Sequence, residues 1–215
     1  MFTNQSIDRR KEEERVSKEG RLPPGQSLTL KFPVLHYGPV PHFNPATWNF
    51  RVWGEVEDDK EWNWDEFNKL PRTKIEMDIH CVTRWSKFDT IWEGVSVKTL
   101  IDEGFIKVKP GATHVMQHAE YGFTVNLPLE IVLQDNFLMA THFHDEPLSP
   151  DHGYPLRGVV GHIPDNKGLE TPYFWKGAKW LRSLEFMTRD RRGFWEQAGY
   201  HNEADVWKEQ RHAGY

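Results

Sequence analysis

Cysteine is nearly missing from this chain: a single thiol, Cys81, stands in 215 residues. An intramolecular disulfide, a four-thiolate zinc site and a protein-ligated iron–sulfur cluster are therefore excluded. Cys81 can be a small buried apolar residue, a nucleophile, or one soft ligand to a metal held mostly by something else. Long apolar runs are also missing, so no segment has the length needed to cross a bilayer and no membrane partner is expected. The first ten residues, Met1 to Arg10, contain no apolar core of the kind a secretory signal requires. The expected location is cytoplasmic, with which one thiol agrees. A basic excess is absent too. The formal net charge of -5 argues against nucleic acid as the main partner, because a binder presents a concentrated basic face to phosphates.

Aromatic side chains, by contrast, are abundant: ten Trp, thirteen Phe and six Tyr. They supply large burial per residue and also line ligand pockets. The length suits one principal domain. Residues 1–27 read as a charged N-terminal arm, either a solvated helix or disordered, because Asp8 to Lys18 mixes both signs of charge with almost no apolar period. Leu22-Pro23-Pro24-Gly25 ends it, and residues 28–215 form the domain. Pro33 to Pro45 reads as an extended loop carrying His36, Tyr37 and His42.

Alternation predicts a strand over Trp48 to Gly54 and a second over Ile75 to Ile79, which places Cys81 at or just beyond a strand end. A short helix is expected near Asp65 to Leu70. Ser96 can cap another whose Val97, Leu100 and Ile101 share a face, with Gly104 as terminator. Further strands are expected near His114 to Ala119, Phe123 to Asn126, Phe137 to Phe143, Leu156 to Ile163 and Lys179 to Met187. The class is α+β, mainly β, with a mixed sheet or distorted barrel and short helices.

Three groupings could carry chemistry. His152-Gly153-Tyr154-Pro155-Leu156-Arg157 and Trp175-Lys176-Gly177-Ala178-Lys179-Trp180 could cradle an anion, or could be a solvated strand edge with its charges outward. His142 and His144 would share one face of a strand and, with a carboxylate, could serve a mononuclear iron or zinc enzyme; ordinary surface histidines are the alternative. Around Cys81, His80 and Arg84 are local positive charges that would favour the thiolate, and His36 or His118 could serve as a base. Arg84 could equally be a structural Arg paired with Asp78 or Asp89.

Taken together, these segments resemble the small single-domain members of the sulfite oxidase family of molybdenum enzymes. His80-Cys81-Val82-Thr83-Arg84-Trp85-Ser86 with Trp92-Glu93-Gly94-Val95 is similar to the family's metal-ligand segment. His152 to Arg157 resembles its pterin-phosphate segment, and Trp175 to Trp180 its later cofactor-binding turn. Gly193-Phe194-Trp195-Glu196, Gly199-Tyr200-His201 and Trp207-Lys208-Glu209-Gln210-Arg211 resemble its C-terminal signature, so the motifs run in family order from Leu28 to Arg211. The resemblance implies a sulfite-oxidase-type molybdopterin-binding fold and an oxidoreductase acting on a small substrate such as sulfite or an S- or N-oxide, by two-electron oxygen-atom transfer at molybdenum. It implies a molybdopterin giving two sulfurs to the molybdenum, with Cys81 as the protein's thiolate ligand and Arg84 beside it as a second catalytic residue. His36, Tyr37, His118, His152, Arg157 and Lys179 would hold the pterin and its phosphate, with Gly177 and Ala178 offering backbone N–H groups. A lone thiol then suffices, since the cofactor brings its own sulfurs. A cofactor-free binding protein of the same fold is the non-enzyme alternative.

Two departures from the family stand out. Sulfite oxidases carry an Arg shortly before the His of the N-terminal loop, where Val34 and Leu35 stand here, which argues against sulfite. Gly161 to Pro172 is longer than the family's connection and lacks a proline at Gly161, so it could reshape the pocket mouth or extend a surface loop. No stretch is left over for a haem or dimerisation domain, so electrons are expected to pass through a separate partner protein.

Overall fold

The computed structural model describes residues 4–166 and 168–214; Met1 to Thr3 of the arm, Lys167 of the 161–172 connection and Tyr215 lie outside them. Elements are numbered in chain order. Helix α1 (Asn4–Lys18) precedes β1 (Ser27–Leu28), β2 (Asn49–Gly54), β3 (Lys60–Asn63), α2 (Trp64–Phe67), β4 (Thr73–His80) and β5 (Trp85–Val95). Then follow α3 (Val97–Asp102), β6 (His114–Ala119), β7 (Thr124–Pro128), α4 (Leu129–Val132), β8 (Phe137–Phe143), β9 (Glu146–Pro147), β10 (Arg157–Val160), β11 (Leu181–Met187) and α5 (Phe194–Gln197).

Among the described residues the strands form two open mixed sheets and no closed barrel. In the first, β5 carries β4 on one edge and both β1 and β8 on the other, with β10 and β9 beyond β8. The second runs β3-β2-β11-β6-β7, with β2 and β11 parallel. The main core lies between the sheets, where Val95, Phe137, Met139 and Val160 of the first meet Phe50, Val52, Leu184 and Phe186 of the second. Leu138, Ala140 and Val159 point the other way and pack with Met77, Ile79, Trp92 and Phe174. Burial on both faces explains the unbroken apolar run Phe137 to Ala140.

The longest strand, β5, lacks the apolar alternation that makes its neighbours legible. Its inward positions are Ser86, Phe88, Thr90, Trp92 and Gly94, so burial alternates while hydrophobicity does not. The inward hydroxyl of Thr90 donates to Met77 O and accepts from Trp92 Nε1. At Gly94 any Cβ would collide with the backbone of Met139 and Ala140 on β8.

The N-terminal charges turn out to be a docking surface. Val16 of α1 is fully buried with Leu28 and Phe88, Glu13 accepts from Leu28 N, and Arg21 grips the buried Asp78 through Nε (2.9 Å) and Nη2 (2.6 Å). One buried apolar residue and a two-pronged ion pair hold the helix where hydrophobic periodicity gives little signal. The 161–172 connection bridges to β4, with Asp78 and His162 exchanging two backbone hydrogen bonds of 2.7 Å. A side chain larger than hydrogen at Gly161 would strike Asp78 O and the Met77 side chain.

Lys176 and Glu196 form a fully buried ion pair at 2.6 Å, and Lys176 also donates to Asn126 O and Oδ1. This pair fastens α5 to β7 and to the turn before β11. Lys176→Met leaves a buried carboxylate without its cation and should cost about 3–5 kcal/mol in denaturant unfolding, with Glu196→Gln in the same chain recovering part of the loss.

Candidate functional site

A cleft of about 230 Å³ opens where the ends of β4, β10 and the approach to β11 converge under the 32–37 loop. Cys81 follows β4 directly. Its N–H donates to Trp85 O (2.8 Å), its carbonyl accepts from Arg84 N (3.0 Å), and Arg84 adopts φ 71° to close the turn into β5. Cys81 is 8% exposed, and its Sγ lies 3.2 Å from Thr83 Oγ1.

Arg157 begins β10 and is 1% exposed. Its nitrogens donate to carbonyls alone: His152 O (3.0 Å), Gly158 O (3.2 Å) and Gly177 O (3.5 Å). Its guanidinium lies 4.3 Å over the Phe174 ring. No carboxylate among the described residues pairs with it, and burial lowers its pKa to about 9, so it remains a cation at neutral pH. Lys179 donates to Leu35 O (3.0 Å) and Asp151 O (2.7 Å). Burial first, then the Arg157 charge, bring Lys179 down to about 7. His152 stacks on Phe32 at 3.7 Å, and burial with the nearby Arg157 and Lys179 charges lowers it to about 4, leaving a neutral imidazole.

Of the residues singled out in the sequence, the cleft brings together Cys81, His36, Tyr37, His152, Arg157, Gly177 and Lys179. Tyr37 packs on Phe194 and His36 on Trp180. Others it does not bring in. His118 lies on β6 in the second sheet, bonded to Glu185 at 2.8 Å and tilted against Trp53. The amides expected to serve a ligand are already engaged: Gly177 N donates to Phe174 O (3.2 Å) and Ala178 N to Gln117 Oε1 (3.0 Å). Arg84 is exposed and does not line the cleft. It also pairs with neither Asp78 nor Asp89, which Arg21 occupies.

His80 is corrected as a source of positive charge. Full burial, with the His162 and Arg21 charges, lowers it to about 3; its Nδ1 meets Ser86 Oγ at 2.8 Å, and neither residue lines the cleft. The histidine pair for iron or zinc is corrected too. β8 ends at Phe143, and His144 sits at φ 48° in the following turn, so strand alternation never reaches it. Among the described residues no three His, Cys, Asp or Glu are grouped to hold a metal. The 161–172 connection contributes nothing to the cleft lining among its described residues.

Sequence reasoning singled out neither Phe32, Phe123 nor Phe174 as cleft wall, and named Trp85, Trp195 and Tyr200 only within family-like segments without a role in the cleft. The high aromatic content was the available signal, but it does not separate wall from core.

The oxidoreductase molybdopterin binding domain family matches residues 37–195. The uncharacterized oxidoreductase YuiH of Bacillus subtilis (strain 168) is 42% identical over 195 residues, covering 90% of this chain and 93% of that one. The mitochondrial sulfite oxidase of Drosophila melanogaster is 23% identical, with 79% of this chain matching 32% of that protein. The catalytic subunit MsrP of the protein-methionine-sulfoxide reductase of Campylobacter jejuni is 22% identical, with 72% of this chain matching 54% of it. This chain therefore spans only part of those two relatives. Among solved structures, the sulfane dehydrogenase SoxCD from Paracoccus pantotrophus shares the fold, with a TM-score of 0.60 at 19% identity over 73% of this chain and 42% of that one. Its match to the family over most of its length, and to YuiH over nearly all of it, places this chain in the molybdopterin-binding oxidoreductase domain family.

Proposed function

We propose that this protein is a cytoplasmic molybdenum-cofactor oxidoreductase performing a two-electron reaction, oxygen-atom transfer, on a small substrate, and exchanging electrons with a separate partner protein. The observation that carries the reading is a cleft holding both the chain's one thiol and a buried guanidinium with no carboxylate partner among the described residues. A desolvated cation without a counter-ion is costly, so a cleft built around Arg157 suits an anionic group supplied by a ligand. The residues present fit a molybdopterin at both ends. Cys81 would give the metal its protein thiolate, while Arg157 and Lys179 would hold the phosphate, with His152, His36 and Tyr37 around the pterin. When bound, the cofactor supplies the two-electron redox chemistry.

The chain's own residues would do the rest. Phe32, Trp85, Phe174 and Trp195 wall the cleft with apolar surface, which would limit water around a bound group. The Thr83 hydroxyl at 3.2 Å can donate to the Cys81 sulfur. The cleft's cations, Arg157 and Lys179, are taken up by the phosphate in this reading, and Arg84 lies outside its lining. Val34 and Leu35 add no charge before His36. This arrangement favours an uncharged S- or N-oxide over sulfite.

Purified from a host able to make the cofactor, the protein should carry molybdenum and pterin in equal amounts with the chain. Cys81→Ser should abolish turnover, and normal turnover with intact molybdenum would end the assignment. Arg157→Ala should weaken cofactor retention by about 2 kcal/mol or more, roughly thirtyfold, read as pterin content after dialysis. Neither metal nor pterin in wild-type protein would instead favour a cofactor-free binding protein.

The free cleft also has a pH signature. Lys179 binds anions only when protonated, and its pKa is about 7. Above that pH, anion binding must take up a proton, so the dissociation constant for sulfate on cofactor-free protein should rise with pH, by at most about tenfold per unit. Lys179→Met should flatten the profile between pH 6.5 and 8.5 in isothermal titration, where sulfate itself does not titrate.

A further inference from the structure

The turn that presents Cys81 has two backbone carbonyls, those of Cys81 and Val82, whose side-chain partners come from outside the family-matched residues 37–195. Gln26 Nε2 donates to Cys81 O at 3.2 Å, in a buried position. Arg211 Nη1 donates to Val82 O at 2.6 Å. Gln26 is itself held, because Ser86 Oγ donates to its Oε1 at 3.4 Å and Ser86 Oγ in turn meets His80 Nδ1 at 2.8 Å. Arg211 is 9% exposed, and its guanidinium lies 5.0 Å over the Tyr173 ring. The next residue of the N-terminal segment, Ser27, donates through its N–H to Arg84 O at 3.0 Å, so the far end of the turn is pinned as well.

The two flanking segments also meet each other. Gly25 sits at φ 66°, and a side chain there would run into Glu209 Oε1 and Arg211 Nη2. A short turn is held from behind by two chain ends that touch, while its thiol faces the cleft.

We propose that Gln26 and Arg211 are positioning residues for the Cys81 thiol: by holding the carbonyls of Cys81 and Val82 they fix the turn and the direction of Sγ. Neither touches the cleft, so neither is a catalytic residue. Without Gln26 the Cys81 carbonyl is left with its bond from Arg84 N, and without Arg211 the Val82 carbonyl loses its side-chain donor, so the turn opens more readily and exposes a sulfur that the folded turn keeps nearly buried. The role in catalysis rests on Cys81 being the metal's thiolate; the role in holding the thiol does not.

The test uses the full chain in two forms. In cofactor-free protein, Cys81 is the only thiol, so iodoacetamide labelling reads it alone. Gln26→Leu and Arg211→Met should each raise the labelling rate by about threefold or more, and Arg211→Lys, which keeps a donor, should stay closer to wild type. Val52→Ala, in the second sheet, loses stability without touching the turn and should leave the rate unchanged. In cofactor-loaded protein, the same two variants should shift the electron paramagnetic resonance of molybdenum(V) relative to wild type, and Val52→Ala should not. Labelling rates equal to wild type in Gln26→Leu overturn the positioning role, including when Arg211→Met fails to fold. Faster labelling in a protein that never acquires molybdenum upholds the clamp and instead defeats the assignment of Cys81 as a metal ligand.

Discussion

Arg157 has to stay charged in a place that water hardly reaches. Its guanidinium is met by three carbonyls and the faces of Phe174 and Trp92, none of which neutralises it. Much of the surrounding architecture follows from that constraint. The 152–157 segment must bring its own carbonyl, His152 O, back to the guanidinium. Gly177 must approach so closely that a Cβ there would strike Gly158 O. Phe174 of the cleft wall and Trp92 behind it offer their faces to the cation, an arrangement that stabilises a charge without cancelling it. Burial first, and then the same charge, lower Lys179 and keep His152 neutral.

The second organising feature is the junction of β4 and β5. β5 pairs with three strands, two of them on one edge, and its first residues are held by β1. That is why the N-terminal charges dock rather than float: the Arg21 to Asp78 pair and the burial of Val16 secure the segment that supplies β1 and Gln26. The flanking sequence is thus continuous with the thiol-bearing turn, although the family match begins only at residue 37.

Several strands were legible because one face of each is buried and the other wet. β8 coincides with the expected Phe137 to Phe143, and Cys81 does follow a strand end. β5 was not legible, because Ser86, Thr90 and Gly94 take inward places that hydrophobicity would give to apolar residues. The Met77 carbonyl that holds Thr90 and the β8 backbone that crowds Gly94 lie across strand pairings that no local window contains, while Trp92 Nε1 meets Thr90 from two residues along the same strand. His142 and His144 misled for a related reason: alternation holds only while the strand lasts, and the turn at His144 ends it.

Residue type and motif order were enough to bring Cys81, His152, Arg157 and Lys179 to attention, since chemistry such as a lone soft ligand or a bidentate cation is local to a side chain. Family membership, too, could be read from the order of motifs along the chain. The tertiary structure alone decided that His118 and the Ala178 amide are spent on Glu185 and Gln117, that Arg84 stands outside the cleft, and that Gln26 and Arg211 stand behind the thiol. Whether a polar group is free or engaged depends on partners distant in sequence, and only the packing of the two sheets and the chain ends brings those partners within hydrogen-bond reach.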